Sequence, residues 1–242
     1  TSAGSRESRS DSPSTGPVRL WLDAIETASA EEKDWRDAAQ KAVKAYAGEK
    51  ASSQREFNIF HANVEVIVPA LYNSTPAPDV RRRYADADPV GKQVADVLER
   101  ALAYAVDAYD FDAVMTAAVK DMQVPGRGIV RVRYVPYLGE DGGSVAYQEV
   151  RCEHVPWQHF RHGPANDWSS VPWVAFEHFL ERDEIEKLVG DEAFAKKVPL
   201  NYVSTKDQAK DDEKDKNSLF RRAKVWEIWD RREKKVRFIC PD

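Results

Sequence analysis

Apolar residues recur at helical spacing through the first half of the chain and switch to alternation in the second. Trp35, Ala38, Ala42 and Tyr46 fall on one helical stripe. Ser29 followed by Glu32 fits a capping box ahead of it, and Gly48 supplies a stop. Phe57, Phe60, Val64, Ile67 and Leu71 predict a second helix with a continuous apolar face, kinked or ended near Pro69. The run Asn73 to Pro78 is extended or turning, because each residue before a proline is pushed out of the helical region. Asp88-Pro89 starts a third helix, with Val90, Val94, Val97, Ala101, Tyr104 and Ala108 on one side. A further stripe, Phe111, Met115, Ala118 and Met122, runs up to the breaker Pro125-Gly126-Arg127-Gly128.

There the period becomes two. Ile129 to Tyr134 alternates apolar residues with Arg131 and Arg133, as in a half-buried strand. The glycine-rich turn Gly139 to Ser144 and the alternating run Val145 to Val155 complete a hairpin. A loop rich in proline and tryptophan, Pro156 to Pro172, leads to a strand at Trp173 to Leu180 and a short helix at Arg182 to Val189, closed by Gly190. Asn201 to Asn217 is almost wholly polar and reads as a solvated insert. Ala223 to Asp230 and Val236 to Cys240 form a last hairpin around Arg231 to Lys235. The expected fold class is α+β, with long N-terminal helices followed by antiparallel β-hairpins. The expected organisation is a disordered leader at 1–17, a helical part at 18–125 and a β-rich part at 126–242 with the insert at 201–217. The end at Pro241-Asp242, with no closing element, reads as that of a truncated chain.

Composition narrows the function. The 242 residues carry a net charge of -5, so the chain lacks the overall basicity of a free-standing DNA-binding domain. Two scattered cysteines, Cys152 and Cys240, argue against a disulfide framework. No uninterrupted apolar run approaches the roughly 18 residues of a membrane span, and residues 1–17 lack the apolar segment of a signal peptide.

Candidate chemistry is sparse. Cys152, His154, His159 and His162, with His178 nearby, are the residue types that hold zinc, but their spacing fits no paired knuckle and no Cys-x-x-Cys occurs. A Cys–His nucleophile would need an orienting group and an oxyanion site that the local sequence does not supply. Asp107, Asp110 and Asp112 sit where aspartates cap helices. Glu184 and Lys187 read as a surface ion pair. Gly126-Arg127-Gly128 lacks the lysine and length of a phosphate-binding Walker loop. Arg81, Arg82 and Arg83 form the one basic cluster suited to DNA phosphate or to an intersubunit contact, with Asp79, Asp86 and Asp88 around them. Trp157, Trp168 and Trp173 could stack on bases, or pin the long loop to the core.

Several of these stretches, in order, resemble the portal proteins of short-tailed bacteriophages. They are Phe57-Asn58-Ile59-Phe60, Pro69-Ala70-Leu71-Tyr72-Asn73, Pro76-Ala77-Pro78 with Arg81-Arg82-Arg83, and Val94 to Leu102. Gly126 to Tyr134, Glu153-His154-Val155-Pro156-Trp157, Gly163-Pro164-Ala165 and Trp168 to Val174 follow. The resemblance runs from about Trp35 to the end, outside the insert at 201–217. It implies a homo-oligomeric ring of twelve subunits at one capsid vertex, in the virion and, during assembly, in the host cytoplasm. Its implied partners are the terminase, capsid and scaffold proteins, tail and head-completion proteins, and double-stranded DNA that passes through without sequence specificity. It implies the wing region of such a subunit, with stem, clip and crown beyond Asp242, and neither catalysis, cofactor, metal nor membrane. Two alternatives stand beside it: a metal-dependent hydrolase built on Cys152, His154, His159 and His162, and another head–tail adaptor.

Overall fold

A computed structural model of the chain describes residues 16–49, 57–82, 88–139, 144–200, 202 and 221–241. Among these the protein is α+β, with seven α-helices and two antiparallel sheets. The chain divides into two compact units that cut across the helical-then-β order of its elements. Unit one joins the chain up to Glu32 with Phe160 onward, and unit two is Lys33–His159. The leader and the polar insert lie outside the described residues, save for Gly16, Pro17 and Tyr202.

Unit one opens with helix α1, Pro17–Glu31. Pro17 stands at the first helical position, where the missing amide costs nothing and φ is already set. The capping box expected at Ser29 does not form. Ser29 lies in the last turn of α1, and its hydroxyl donates to the Ile25 carbonyl at 2.8 Å. The stripe Trp21, Ile25 and Ala28 carries the helix through that serine.

Four strands follow: β1 Phe160–His162, β2 Trp173–Leu180, β3 Ala223–Asp230 and β4 Lys235–Ile239, paired antiparallel in that order. Alternation sends Trp173, Ala175, Trp226, Ile228 and Ile239 to one face, where they pack with Ile25 and Ala28 of α1. On the other face Leu180, Ala223 and Val225 meet Ile185, Ala195 and Val198. Ile185 belongs to α2, Arg182–Val189, which Gly190 ends in the left-handed conformation (φ 71°). Ala195 belongs to α3, Glu192–Lys197, which the hydrophobic pattern did not reveal. The Asp191 carboxylate caps it, accepting from the Ala193 and Phe194 amides at 2.8 and 3.1 Å.

Unit two contains α4 Lys33–Ala47, α5 Ile59–Leu71, α6 Pro89–Ala108 and α7 Phe111–Gln123. A hairpin follows, β5 Val130–Leu138 with β6 Val145–His154. Asn58 caps α5 through the His61 amide (3.0 Å) and donates its side-chain amide to the Ala45 carbonyl at the end of α4 (2.8 Å). The Asp88 carboxylate accepts from the Val90 amide at 3.0 Å, as a helix start at Asp88-Pro89 requires. Glu65 ties three helices together: the Tyr46 hydroxyl donates to it, and Lys120 lies 3.4 Å away. At the breaker, Arg127 lies 4.0 Å from the centre of the Trp35 ring, and Trp35 meets Trp157 edge-on at 5.5 Å.

Three expectations fail in unit two. Of the stripe Phe57, Phe60, Val64, Ile67 and Leu71, only Val64 is buried, together with Val68; Phe57 is 80% exposed. The sequence of α5 is apolar on more than one side, and the buried line is the narrower one. In α6 no residue is buried at all, and Val90, Val94 and Val97 stand open. The hairpin is likewise inverted. Arg131 is buried at 8% exposure, while Val132, Tyr134 and Val150 are exposed.

Gly128 marks a close approach. A Cβ there would sit 2.1 Å from the Ala118 carbonyl oxygen of α7. Gly128→Ala is expected to lower stability by about 1–3 kcal/mol through overpacking. Val97→Ala, on the open side of α6, should change it by less than about 0.5 kcal/mol. Urea unfolding of the purified protein measures both, and equal costs would contradict this packing.

Candidate functional site

The inverted hairpin and α6 together make the most built surface of unit two. Leu98, Ala101, Leu102 and Ala105 of α6 face Tyr134 and Val150 of the hairpin across a cavity of about 460 Å³. One end of it is polar. The Tyr109 and Tyr147 hydroxyls are 3.0 Å apart, and the Tyr137 hydroxyl donates to Glu149 at 2.9 Å. Arg151 pairs with Glu149 and donates to the Tyr137 hydroxyl at 2.9 Å. Burial opposes the Glu149 charge, yet the hydrogen bonds from Tyr109, Tyr137 and Arg151 outweigh it and hold the carboxyl below its ordinary range. The bond to Glu149, and then that to Tyr147, raises the Tyr109 hydroxyl. These groups satisfy one another. No single stretch of sequence announces them, because α6 and two strands must meet before they do.

A second ionic group underlies the hairpin. Glu153 takes Arg131 at 2.5 Å and Arg133 at 2.6 Å. Burial pushes its carboxyl up, and the two guanidiniums more than reverse this, so its pKa lies below the ordinary value of 4.5. This pairing is the reason a buried arginine is tolerated.

The residues weighed as a zinc cluster, and set aside on their spacing, divide between the two units. Cys152, His154 and His159 belong to unit two, His162 and His178 to unit one. His154 Nε2 lies 2.9 Å from Asp121, His162 Nε2 3.2 Å from Glu32, and His178 Nε2 2.7 Å from Glu227. Each of these three histidines therefore has a carboxylate of its own. Among the described residues no group of three or more His, Cys, Asp and Glu could hold a metal ion. Burial raises the Cys152 thiol, which keeps it protonated and a poor nucleophile.

The other singled-out residues are also engaged locally. Arg81 pairs with Asp79 at 2.7 Å and Arg82 with Asp88 at 3.4 Å, while Arg83 lies outside the described residues. Asp110 precedes α7 with φ 50° and its side chain does not cap; Asp112 accepts from the Thr75 hydroxyl at 3.3 Å. Glu184 accepts from the Glu181 amide at 2.8 Å, closing the start of α2. Trp157 and Trp173 are core residues, whereas Trp168 is 67% exposed. No described helix is long and apolar enough to cross a membrane.

Comparison of the chain with protein-family models and with curated proteins gives no match.

The Glu153 pair carries a pH signature. Its depressed carboxyl contributes stability that is complete above pH 4.5, the ordinary glutamate value, and is lost as pH falls through the lower folded-state value. Thermal melts between neutral and acid pH should show this loss in the wild type. Glu153→Gln should lower the melting temperature at neutral pH and flatten the acid limb; an unchanged limb would contradict the assignment.

Proposed function

We propose that the chain is part of a structural subunit of a tailed-bacteriophage portal ring, the conduit through which genomic DNA is packaged and ejected. The observation that carries this reading is the inverted surface of unit two. Charged groups are buried within the hairpin, while α6 buries no side chain and shows Val90, Val94 and Val97 to the outside. A helix with an apolar stripe gains little by folding in water unless that stripe meets something. Neighbouring copies in a ring would supply the contact.

The reading rests equally on the ordered resemblance along the chain. Two of its stretches now have a physical purpose. Asp88-Pro89 starts the long helix that carries Val94 to Leu102, and Gly128 lets the backbone pass close to α7 before the hairpin begins. In this reading the two units are the wing of the subunit. The terminase, capsid, scaffold and tail proteins are its partners, and double-stranded DNA passes the ring without being read. Arg81, held by the exposed Asp79 carboxylate through a surface pair of small energy, can exchange partners at a subunit boundary.

Electron microscopy of the complete parent protein tests the proposal. Rings of about twelve copies with a central channel are expected, as the resemblance implies. The double variant Val94→Glu, Val97→Glu should leave the helical circular-dichroism signal intact and abolish or sharply weaken ring formation. A parent protein that stays monomeric at every concentration contradicts the proposal.

A further inference from the structure

In unit one, α2 and α3 cover only one end of the second sheet face. At the other end Val174, Trp229 and Val236 lie side by side on three strands, in the register Val174–Trp229 and Trp229–Val236. Trp168, on the 3-10 turn Trp168–Ser170, lines the same cavity as they do. Its ring centre is 6.2 Å from that of Phe160 and 6.4 Å from that of His162. Together with Val171 and Trp173 these side chains wall a cavity of about 360 Å³, within the range of small-ligand sites.

The cavity has a cationic rim, made by Arg231, Lys234 and Lys235 of the turn between β3 and β4. Arg231 is fixed there: its amide donates to the Pro172 carbonyl at 3.0 Å and its guanidinium to the Ser169 carbonyl. Asp230 also borders the cavity, but its carboxylate is taken by the Arg232 and Glu233 amides and by Arg237. Glu233 is held by Arg237 at 2.5 Å and by Lys235 at 3.3 Å. Lys234 has no ion pair or hydrogen bond among the described residues, and its φ of 53° is a left-handed value that suits glycine or asparagine better. A largely exposed tryptophan and a lysine in an unfavourable backbone position thus border the same cavity. Neither placement is one that folding alone favours.

We propose that this cavity binds a nucleobase with its attached phosphate, the base stacking on Trp168 and Trp229 and the phosphate meeting Arg231, Lys234 and Lys235. Indole faces accept any base, and a cationic edge follows a phosphate backbone. An inorganic anion would leave the tryptophans unused, and an uncharged apolar ligand would leave the cations unused. The chain's acidic balance does not oppose this, because Arg231 to Arg237 holds five basic residues and one acidic one. The inference stands apart from the portal reading. Its ligand is an unpaired base, free as a nucleotide or within a single strand, whereas a portal passes duplex DNA.

The test is fluorescence anisotropy of a labelled oligothymidylate of about eight nucleotides on the full chain at low salt, near 50 mM. Saturable binding is expected. Competition by thymidine monophosphate as effective per nucleotide as by unlabelled oligonucleotide identifies a free-nucleotide site; competition by the oligonucleotide alone identifies a strand site. Trp168→Ala should weaken binding at least about fivefold. Lys234→Gly should weaken binding and reduce its salt slope by about one unit, while leaving the melting temperature equal or higher because the backbone strain is relieved. Absence of binding by both ligands, binding unchanged in both variants, or inorganic phosphate competing as well as thymidine monophosphate overturns the proposal.

Discussion

Unit one depends on the pairing of β2 with β3, and at its centre on Ala175 opposite Ile228. Both are fully buried, and they face each other directly in the register. A strand has period two, so fixing this pair fixes which side every neighbour takes. Trp173, Trp226 and Ile239 follow it toward α1, while Val174, Phe176, Val225 and Trp229 are sent to the other face. The small side chain of Ala175 beside the larger Ile228 leaves room for Ile25 and Ala28 to seat. A slip of one residue would bring His178 and Glu227 against α1 in place of Ala175 and Ile228, which its apolar face could not satisfy. The opposite face is then covered only as far as α2 and α3 reach, and the tryptophan cavity is what lies beyond them.

Unit two is organised differently. Its helices meet through narrow contacts such as Ala39, Val64, Val68 and Ala118, and through polar ties at Glu65 and Asn58. The hairpin turns arginines and glutamates inward, where they neutralise one another, and leaves valines and tyrosines outward. Breaking such a pair costs more than forming it gains, since the surviving charge stays buried. The arrangement therefore holds shape more than it adds stability. It also frees apolar surface on α6 for use elsewhere, which is the physical content of the ring proposal.

Much of this order was legible in the sequence. Asp88-Pro89 and Gly48 mark a helix start and a helix stop where the structure has them, and the change of period after Gly128 marks the first hairpin. Helix α1 was hidden because Ser29 and Glu32 spell a capping box where the helix ends, and α3 because six residues are too few to show a period. The exposure of α6 was not legible: a stripe tells that a face wants a partner and not whether the same chain provides one. The zinc alternative weighed for the histidines gains no support for a related reason. Proximity along the chain from Cys152 to His162 spans the boundary between two compact units, and each of His154, His162 and His178 has a carboxylate beside it. The Glu149 group was invisible because its members are spread from Tyr109 to Arg151.

Charge follows the same lesson at a finer scale. A net charge of -5 argues against a protein that grips DNA over its whole surface, yet it says nothing about any one turn. In the turn after β3, Asp230 spends its oxygens on backbone amides and on Arg237, and Glu233 is drawn to Arg237 and Lys235. The acids that could cancel the local positive charge are thereby committed to holding the turn's shape. Arg231 and Lys234 border the same cavity as Trp168 and Trp229, with the Arg231 guanidinium anchored on a neutral carbonyl. A cation beside an aromatic wall in partial shelter from water attracts a phosphate more strongly than the same cation on an open surface, because there is less solvent to screen it. The bulk charge can therefore keep duplex DNA from adhering along the protein while this one turn retains an affinity for a single exposed nucleotide.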